Sequence, residues 1–245
     1  MFFLFKKHAS IISLICVSFF STGVFSAVRP QLTRIVASVG QGDTPVEIIN
    51  ESDEPYMLQA WLEDLNGNDS DIPLVLTPPV MRLNGKASGK LRLVVIPSGI
   101  PHDRESVYWL SLQEIPPKSK NGEENKLVIA IRSKLKVFVR PKGFTEKEAS
   151  IAVTRLKWEV QRDAGKVWLK AVNPTPYYVS FGKFELKVGD KVVTLNDKVK
   201  MPPPMESQRY EVPRDFEGKS VTLTYNAIND YGGASDDLSV YLTLL

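Results

Sequence analysis

From Lys126 to Pro141 the chain reads KLVIAIRSKLKVFVRP, and its residues alternate in character. Leu127, Ile129, Ile131, Leu135, Val137 and Val139 occupy one set of positions, broken only by Ser133, and Arg132, Lys134, Lys136 and Arg140 fall in the other. A period of two puts the two sets on opposite faces of a β-strand. The run predicts a strand of about 13 residues, where about 5–6 is usual, apolar at one end and cationic at the other. The same alternation recurs upstream in TRIVASV, PVEIINES, YMLQAWLED, LVLTPPVMRL, KLRLVVI and VYWLSLQEI. Turn-forming GQGDTP, LNGNDSDIP, NGKASG and IPHDRES separate them. About seven strands with no convincing amphipathic helix predict an antiparallel sandwich of immunoglobulin type.

A second set of strands follows RPKGFTEKEAS. WEVQRD and KVWLKAV flank Ala164-Gly165 and read as a hairpin. YYVSFGKFELKV, KVVTL, RYEV, SVTLTYNAI and DLSVYLTLL continue the pattern around the proline cluster MPPPMESQ. Proline, glycine and charge break the alternation near residues 141–148, and no sequence repeat relates the two halves. The expectation is an all-β chain of two sandwiches, residues 27–146 and 147–245.

Residues 1–26 carry Lys6 and Lys7, then the apolar run IISLICVSFF, then STGVFS. A positive start, an apolar stretch and small residues at Val24 and Ser26 predict a secretory signal cut before Ala27. The apolar run is short for a membrane span. Removing it leaves 29 basic against 28 acidic residues, so bulk charge gives no case for nucleic acid. Cys16 leaves with the signal, so the secreted chain forms no disulfide and has to stand on its own core. One histidine remains, His102, in the turn GIPHDRES, where it reads as an exposed loop residue. Thiol nucleophiles, Cys/His zinc sites and multi-histidine centres are thereby excluded. No spacing of acidic residues singles out a hydrolase pair, and no glycine-rich phosphate loop occurs. The chain reads as a protein that is not an enzyme and takes no cofactor or metal.

Five stretches, in order, resemble the periplasmic chaperones of the chaperone–usher pilus pathway: PPVMRLNGKASGKLRL (78–93), DRESVYWLSLQEIPP (103–117), KLKVFVRP (134–141), NPTPYYVSF (173–181) and INDYGGAS (228–235). The resemblance spans the chain after residue 26. It implies two immunoglobulin-like sandwiches set in an L with a cleft between them. It also implies a function. A pilus subunit of such systems is an immunoglobulin-like domain lacking its last strand, and the chaperone lends one of its own. Strand addition of this kind has pilus chaperones among its standard examples. The alternative is a secreted immunoglobulin-like adhesin or fimbrial structural component, but such subunits are usually single domains. This chain ends in the strand DLSVYLTLL.

The resemblance also assigns roles. Leu127, Ile129 and Ile131 are implied donor residues, filling the subunit's groove from the apolar end of the opening strand. A core strand alternates identically, so alternation alone does not separate donor from core. Arg34, in QLTRIVAS, and Lys136 are implied to bind the subunit's C-terminal carboxylate. Arg132 and Lys134 have no such match and read as solvated charges. Glu105, Arg140 and Asp230 are implied to form an ion network between the domains, outside the ligand contacts. The loop PPKSKNGEEN (116–125) is short, which matches the short-loop subclass of these chaperones. The expected partners are pilus subunits, one to one, and the outer-membrane usher to which they are delivered. The expected compartment is the periplasm.

Overall fold

The structure is a computed structural model and describes residues 27–118, 129–195 and 200–244. The expected signal segment 1–26, most of the loop 116–125 and the donor position Leu127 lie outside them.

The first half forms β1 Val28–Pro30, β2 Arg34–Ser38, β3 Asp43–Asn50, β4 Tyr56–Glu63, β5 Leu74–Thr77, β6 Val80–Leu83, β7 Ser88–Val95, β8 Ser106–Ile115 and β9 Arg132–Arg140. They build a four-stranded sheet, β1-β3-β7-β5, and a five-stranded sheet, β2-β9-β8-β4-β6. Alternation decides what lies between the sheets. Ile48, Leu58, Leu91, Leu93, Leu110, Leu135, Val137 and Val139 point inward and are buried in one cluster. The second half forms β10 Lys157–Asp163, β11 Lys166–Val172, β12 Phe181–Val188, β13 Lys191–Thr194, β14 Ser207–Glu211, β15 Ser220–Ala227 and β16 Leu238–Thr243. Their sheets run β10-β11-β14 and β13-β12-β15-β16 over a separate core. Trp158 anchors it, with its ring 5.1 Å from Tyr225 and 5.6 Å from Phe184. The expected hairpin is present: Ala164 and Gly165 both take positive φ between β10 and β11, as a two-residue hairpin turn requires.

Four expectations change in detail. LVLTPPVMRL is two strands: Pro78 and Pro79 supply no N–H, and β5 and β6 join opposite sheets. YYVSFGKFELKV enters its sheet only at Phe181, which leaves Tyr177–Ser180 irregular. A six-residue helix, Glu146–Ile151, lies in a stretch that alternation leaves without a helix. Its signal was the T-x-x-E of Thr145 to Glu148: Thr145 Oγ1 accepts from the Glu148 amide at 3.3 Å. The opening strand is shorter than predicted. β9 has nine residues, and its ladder with β8 runs only from Gln113–Arg132 to Ser106–Val139, eight of them, because Pro116 and Pro117 follow β8 and cannot extend it.

The halves do share one device that no run of sequence identity exposes. Asn50 Nδ2 lies 2.9, 3.2 and 3.0 Å from the carbonyls of Glu54, Leu83 and Asn84, and its Oδ1 accepts from the Ser52 amide and hydroxyl. Asn173 does the same in the second sandwich, toward Tyr177, Pro202 and Pro203, with Thr175 in the place of Ser52. Both asparagines are buried. Each closes a turn by adding donors to three carbonyls and an acceptor for the hydroxyl residue two positions on. Asn173→Ala is expected to cost about 2–4 kcal/mol, since the Pro202 carbonyl and the Thr175 amide would each lose a partner, at about 1–3 apiece. Denaturant unfolding measures it, and a loss under 1 kcal/mol would contradict the assignment.

Candidate functional site

Two side chains expected to act together do come together. The parallel ladder of β2 and β9 sets Arg34 opposite Lys136. Their inward neighbours, Ile35 and Leu135, belong to the core, so both cations point to the other face of the five-stranded sheet. That face looks across a cleft toward the second sandwich. Arg34 Nη1 donates to the Ile228 carbonyl at 3.0 Å, and Lys136 Nζ donates to Ser180 Oγ at 3.1 Å. Arg34 lies 5.9 Å from the Phe138 ring and Lys136 the same distance from the Trp109 ring.

Neither cation has a carboxylate partner among the described residues, and Arg34 Nε is buried with no hydrogen bond. Burial lowers the pKa of Arg34, partly opposed by the charge of Asp230. Burial also lowers that of Lys136, and the neighbouring Arg34 lowers it further. Two desolvated cations on adjacent strands, one with an idle donor, are placed to attract an anion. A carboxylate entering there gains charge-assisted hydrogen bonds of about 1.5–3 kcal/mol each.

The ion network also assembles. Arg140 Nε lies 2.9 Å from Glu105 Oε1, and its Nη1 and Nη2 lie 2.6 and 2.8 Å from the two oxygens of Asp230. Glu105 Oε2 accepts from the Tyr178 amide at 2.9 Å, and the Glu105 amide donates to the Pro176 carbonyl. The guanidinium also lies 5.6 Å from the Tyr177 ring. So the start of β8 and the end of β9 are tied to two loops of the second sandwich. Burial pushes the Glu105 carboxyl up to about 7, against the pull of Arg140 and the Tyr178 amide. Burial opposes the Arg140 charge too, but the bonds to Asp230 and the charges of both carboxylates outweigh it and raise its pKa. The Asp230 loop is itself held tightly: Asn229 Oδ1 accepts from the amides of Tyr231 and Gly233. Gly232 has φ +88°, and a Cβ there would sit 2.5 Å from Thr33 Oγ1, so only glycine fits.

The expected donor positions divide. Ile129 and Ile131 precede β9 and are 62% and 37% exposed, although the alternation that carries them is the one that buries Leu135, Val137 and Val139. β2 pairs with β9 only from Lys136 to Arg140. On that side, residues 132–135 have no ladder partner among the described residues. Ile131 is still held on its other side: its amide donates to Glu114 Oε1 at 3.1 Å and its carbonyl accepts from the Glu114 amide. Glu114, buried in the match DRESVYWLSLQEIPP, also accepts from the Val28 amide. Sequence reasoning missed this role, because alternation in the strand VYWLSLQEI does not show what a carboxylate on it bonds to. Trp109 and Ser180 were also missed as contacts of Lys136, though both sit in the stretches that carry the resemblance.

Arg132 and Lys134 are exposed but not solvated singly, as the sequence suggested. Arg132 lies over Trp61 and donates to Gln113, and Lys134 pairs with Glu63 at 2.6 Å. His102 is exposed, as expected for a loop residue. Among the described residues no group of three His, Cys, Asp or Glu is placed to hold a metal, and no helix is long and apolar enough to cross a membrane.

Two immunoglobulin-like sandwiches, a strand half-paired along one edge and, beside it, a cation pair with no carboxylate partner among the described residues define the class of protein. Comparison gives that class its name. Residues 27–145 match the pili and flagellar-assembly chaperone family, PapD N-terminal domain, and residues 151–238 match the pili assembly chaperone PapD, C-terminal domain. The chain belongs to the pilus-assembly chaperone family. It is 33% identical to the probable fimbrial chaperone YadV of Escherichia coli strain K12, over 96% of this chain and 97% of that protein. It is 35% identical to the chaperone protein FimB/FhaD of Bordetella pertussis, over 83% of each chain. The crystal structure of the YadV chaperone superposes with a TM-score of 0.74 at 32% identity, covering 89% of this chain and all of that one. The Escherichia coli chaperone DraB gives 0.71 at 30% identity, covering 90% of this chain and all of that one.

Replacing Arg140 with alanine leaves Glu105 buried and Asp230 half-buried without their cation. The expected loss is about 3–5 kcal/mol, with a lower melting temperature. An unchanged melting temperature would remove the trio as a structural joint.

Proposed function

We propose that this chaperone, in the periplasm after loss of residues 1–26, captures fimbrial subunits one to one by lending them the apolar start of β9. It then delivers them to an outer-membrane usher. The domain of residues 27–146 carries the strand, and the domain of residues 147–245 forms the far wall of the cleft. The observation that carries this reading is the half-paired edge of β9. Its main-chain groups upstream of Lys136 are available for hydrogen bonds with an incoming strand, and Ile129 and Ile131 stand exposed beside them. Leu127 extends the same row by sequence. Full burial of each such side chain contributes about 1.5–3 kcal/mol.

Arg34 and Lys136 take the subunit's terminal carboxylate in this reading. A chain end is a fixed point, so anchoring it sets which residues of the two strands face each other. Glu105, Arg140 and Asp230 keep the cleft at one angle while this happens. No step calls for catalysis or a cofactor: the exchange is one set of β-ladder hydrogen bonds and apolar contacts for solvent. An adhesin or fimbrial component would instead need a groove missing a strand. Both sandwiches here have two sheets over filled cores.

Two experiments test the reading. Arg34→Ala or Lys136→Ala, coexpressed with a subunit and purified from periplasm, should reduce the yield of complex at least about ten-fold, the loss of one charge-assisted bond. Either variant giving wild-type yield would sink the anchor. Ile129→Thr keeps the shape and β propensity but puts a hydroxyl into an apolar groove. The free protein should change by no more than about 0.5 kcal/mol, as at other exposed sites, while capture weakens. A free-protein loss well over 1 kcal/mol would place Ile129 in its own core and not in a partner's.

A further inference from the structure

The cleft face of β9 presents a cation at every second residue: Arg132, Lys134, Lys136. A strand added along this edge cannot slip by one residue, because that would turn its apolar set outward. A slip of two residues is a different matter. Alternation has a period of two, so every side chain keeps its face. The cost is only two residues of ladder at one end. A carboxylate arriving in that register would meet Lys134 in place of Lys136. Groove shape and main-chain bonding barely distinguish the two registers, so the discrimination falls to the chemistry of the row itself.

That chemistry differs from residue to residue. Glu63, at the end of β4, reaches across β8 to the Lys134 ammonium at 2.6 Å and accepts from Ser111 Oγ at 2.8 Å. Its side chain is only 13% exposed, where Lys134's is 40% exposed. The hydrogen bond from Lys134 holds the Glu63 carboxyl below its usual range. Arg132 donates to Gln113 Oε1 and lies over the Trp61 ring, and a slip that far would forfeit four residues of ladder. Lys136 is met by a hydroxyl and an aromatic face and by no carboxylate among the described residues.

We propose that Glu63 is a register-determining residue: by neutralising Lys134, it removes the cation that would accept a terminal carboxylate two residues out of place. This rests on the carboxylate-anchor reading above and adds what protects that anchor from a two-residue error.

The test uses the mature chain and three probes. One is a synthetic peptide of alternating apolar and polar residues ending in a free carboxylate. The second is its C-terminal amide, and the third is the acid carrying a photo-crosslinker on its penultimate residue. The wild type should bind the acid about ten-fold more tightly than the amide. Its cross-link should map beside Arg34 and Lys136. Lys136→Ala should lose the preference for the acid. Adding Glu63→Gln to Lys136→Ala should restore it in good part, with the cross-link shifted two residues toward Lys134. Adding Lys134→Met should abolish it again. If the Glu63→Gln/Lys136→Ala protein stays as indifferent as Lys136→Ala while the wild type discriminates, Glu63 does not mask Lys134 and the proposal falls alone. If the wild type does not discriminate acid from amide, the anchor fails first and takes the proposal with it. Melting curves check the fold. Glu63→Asp, whose shorter carboxylate withdraws from Lys134, replaces the glutamine variant if that one does not fold.

Discussion

Everything distinctive about this chaperone depends on one strand being paired along only part of one edge. β2 runs parallel to β9 for five residues, from Arg34 opposite Lys136 to Ser38 opposite Arg140, and covers nothing upstream. The N-terminal segment explains why. β1 belongs to the opposite sheet, paired with β3, and the chain crosses between sheets over residues 31–33. A segment that closes one sheet with its first residues and the other with its next ones cannot also protect the whole of β9. Unprotected edges usually invite aggregation, and proteins blunt them with charge. Here Arg132, Lys134 and Lys136 on β9 supply that charge beside the edge.

The same apolar row is buried at one end and exposed at the other. Leu135, Val137 and Val139 fill the chaperone's own sandwich, and Ile129 and Ile131 run past its end into solvent. The change falls where β8 stops at Ile115 before two prolines, since the ladder cannot continue without its partner's donors. Glu114 marks the transition. Its carboxylate holds the Ile131 amide on one side and the Val28 amide on the other, so the exposed segment leaves the sandwich from a fixed point. A segment held at its root surrenders less conformational entropy on binding than one free at both ends.

Much of this was legible in the sequence because it depends on period and on short matched stretches. Alternation places Leu135 and Lys136 on opposite faces whatever the fold, and the turns bound most of the strands, though not β1 or the split of LVLTPPVMRL into β5 and β6. The limits are equally physical. Alternation says which residues share a face but not what covers that face, so Ile129 and Leu135 look alike until the end of β8 is known. It passes over the helix at Glu146–Ile151, which is too short for a helical period to emerge and shows itself only through its Thr145 cap. It cannot see that Asn50 and Asn173 are equivalent, because the device needs only N-x-[ST] and three distant carbonyls. Nor does it separate the paired Lys134 from the unpaired Lys136, since Glu63 lies 71 residues away in sequence.

That last distinction carries the electrostatic logic of the cleft. Along the cleft face of β9, Lys134 has Glu63, Arg140 has Glu105 and Asp230, and Lys136 with its neighbour Arg34 has neither. Burying a cation without an anion costs free energy, and desolvation registers here as lowered pKa values at Arg34 and Lys136 but not at Arg140. A protein selected for stability alone would fill the gap, as it has on either side of it. The cost is tolerable because Arg34 donates to the Ile228 carbonyl and Lys136 to the Ser180 hydroxyl. The charge of Asp230 offsets part of that cost at Arg34. With Arg140 bonded to both Glu105 and Asp230, neither carboxylate pairs with Arg34, so the joint that ties the sandwiches together also leaves the cations of β2 and β9 without an anion of their own among the described residues.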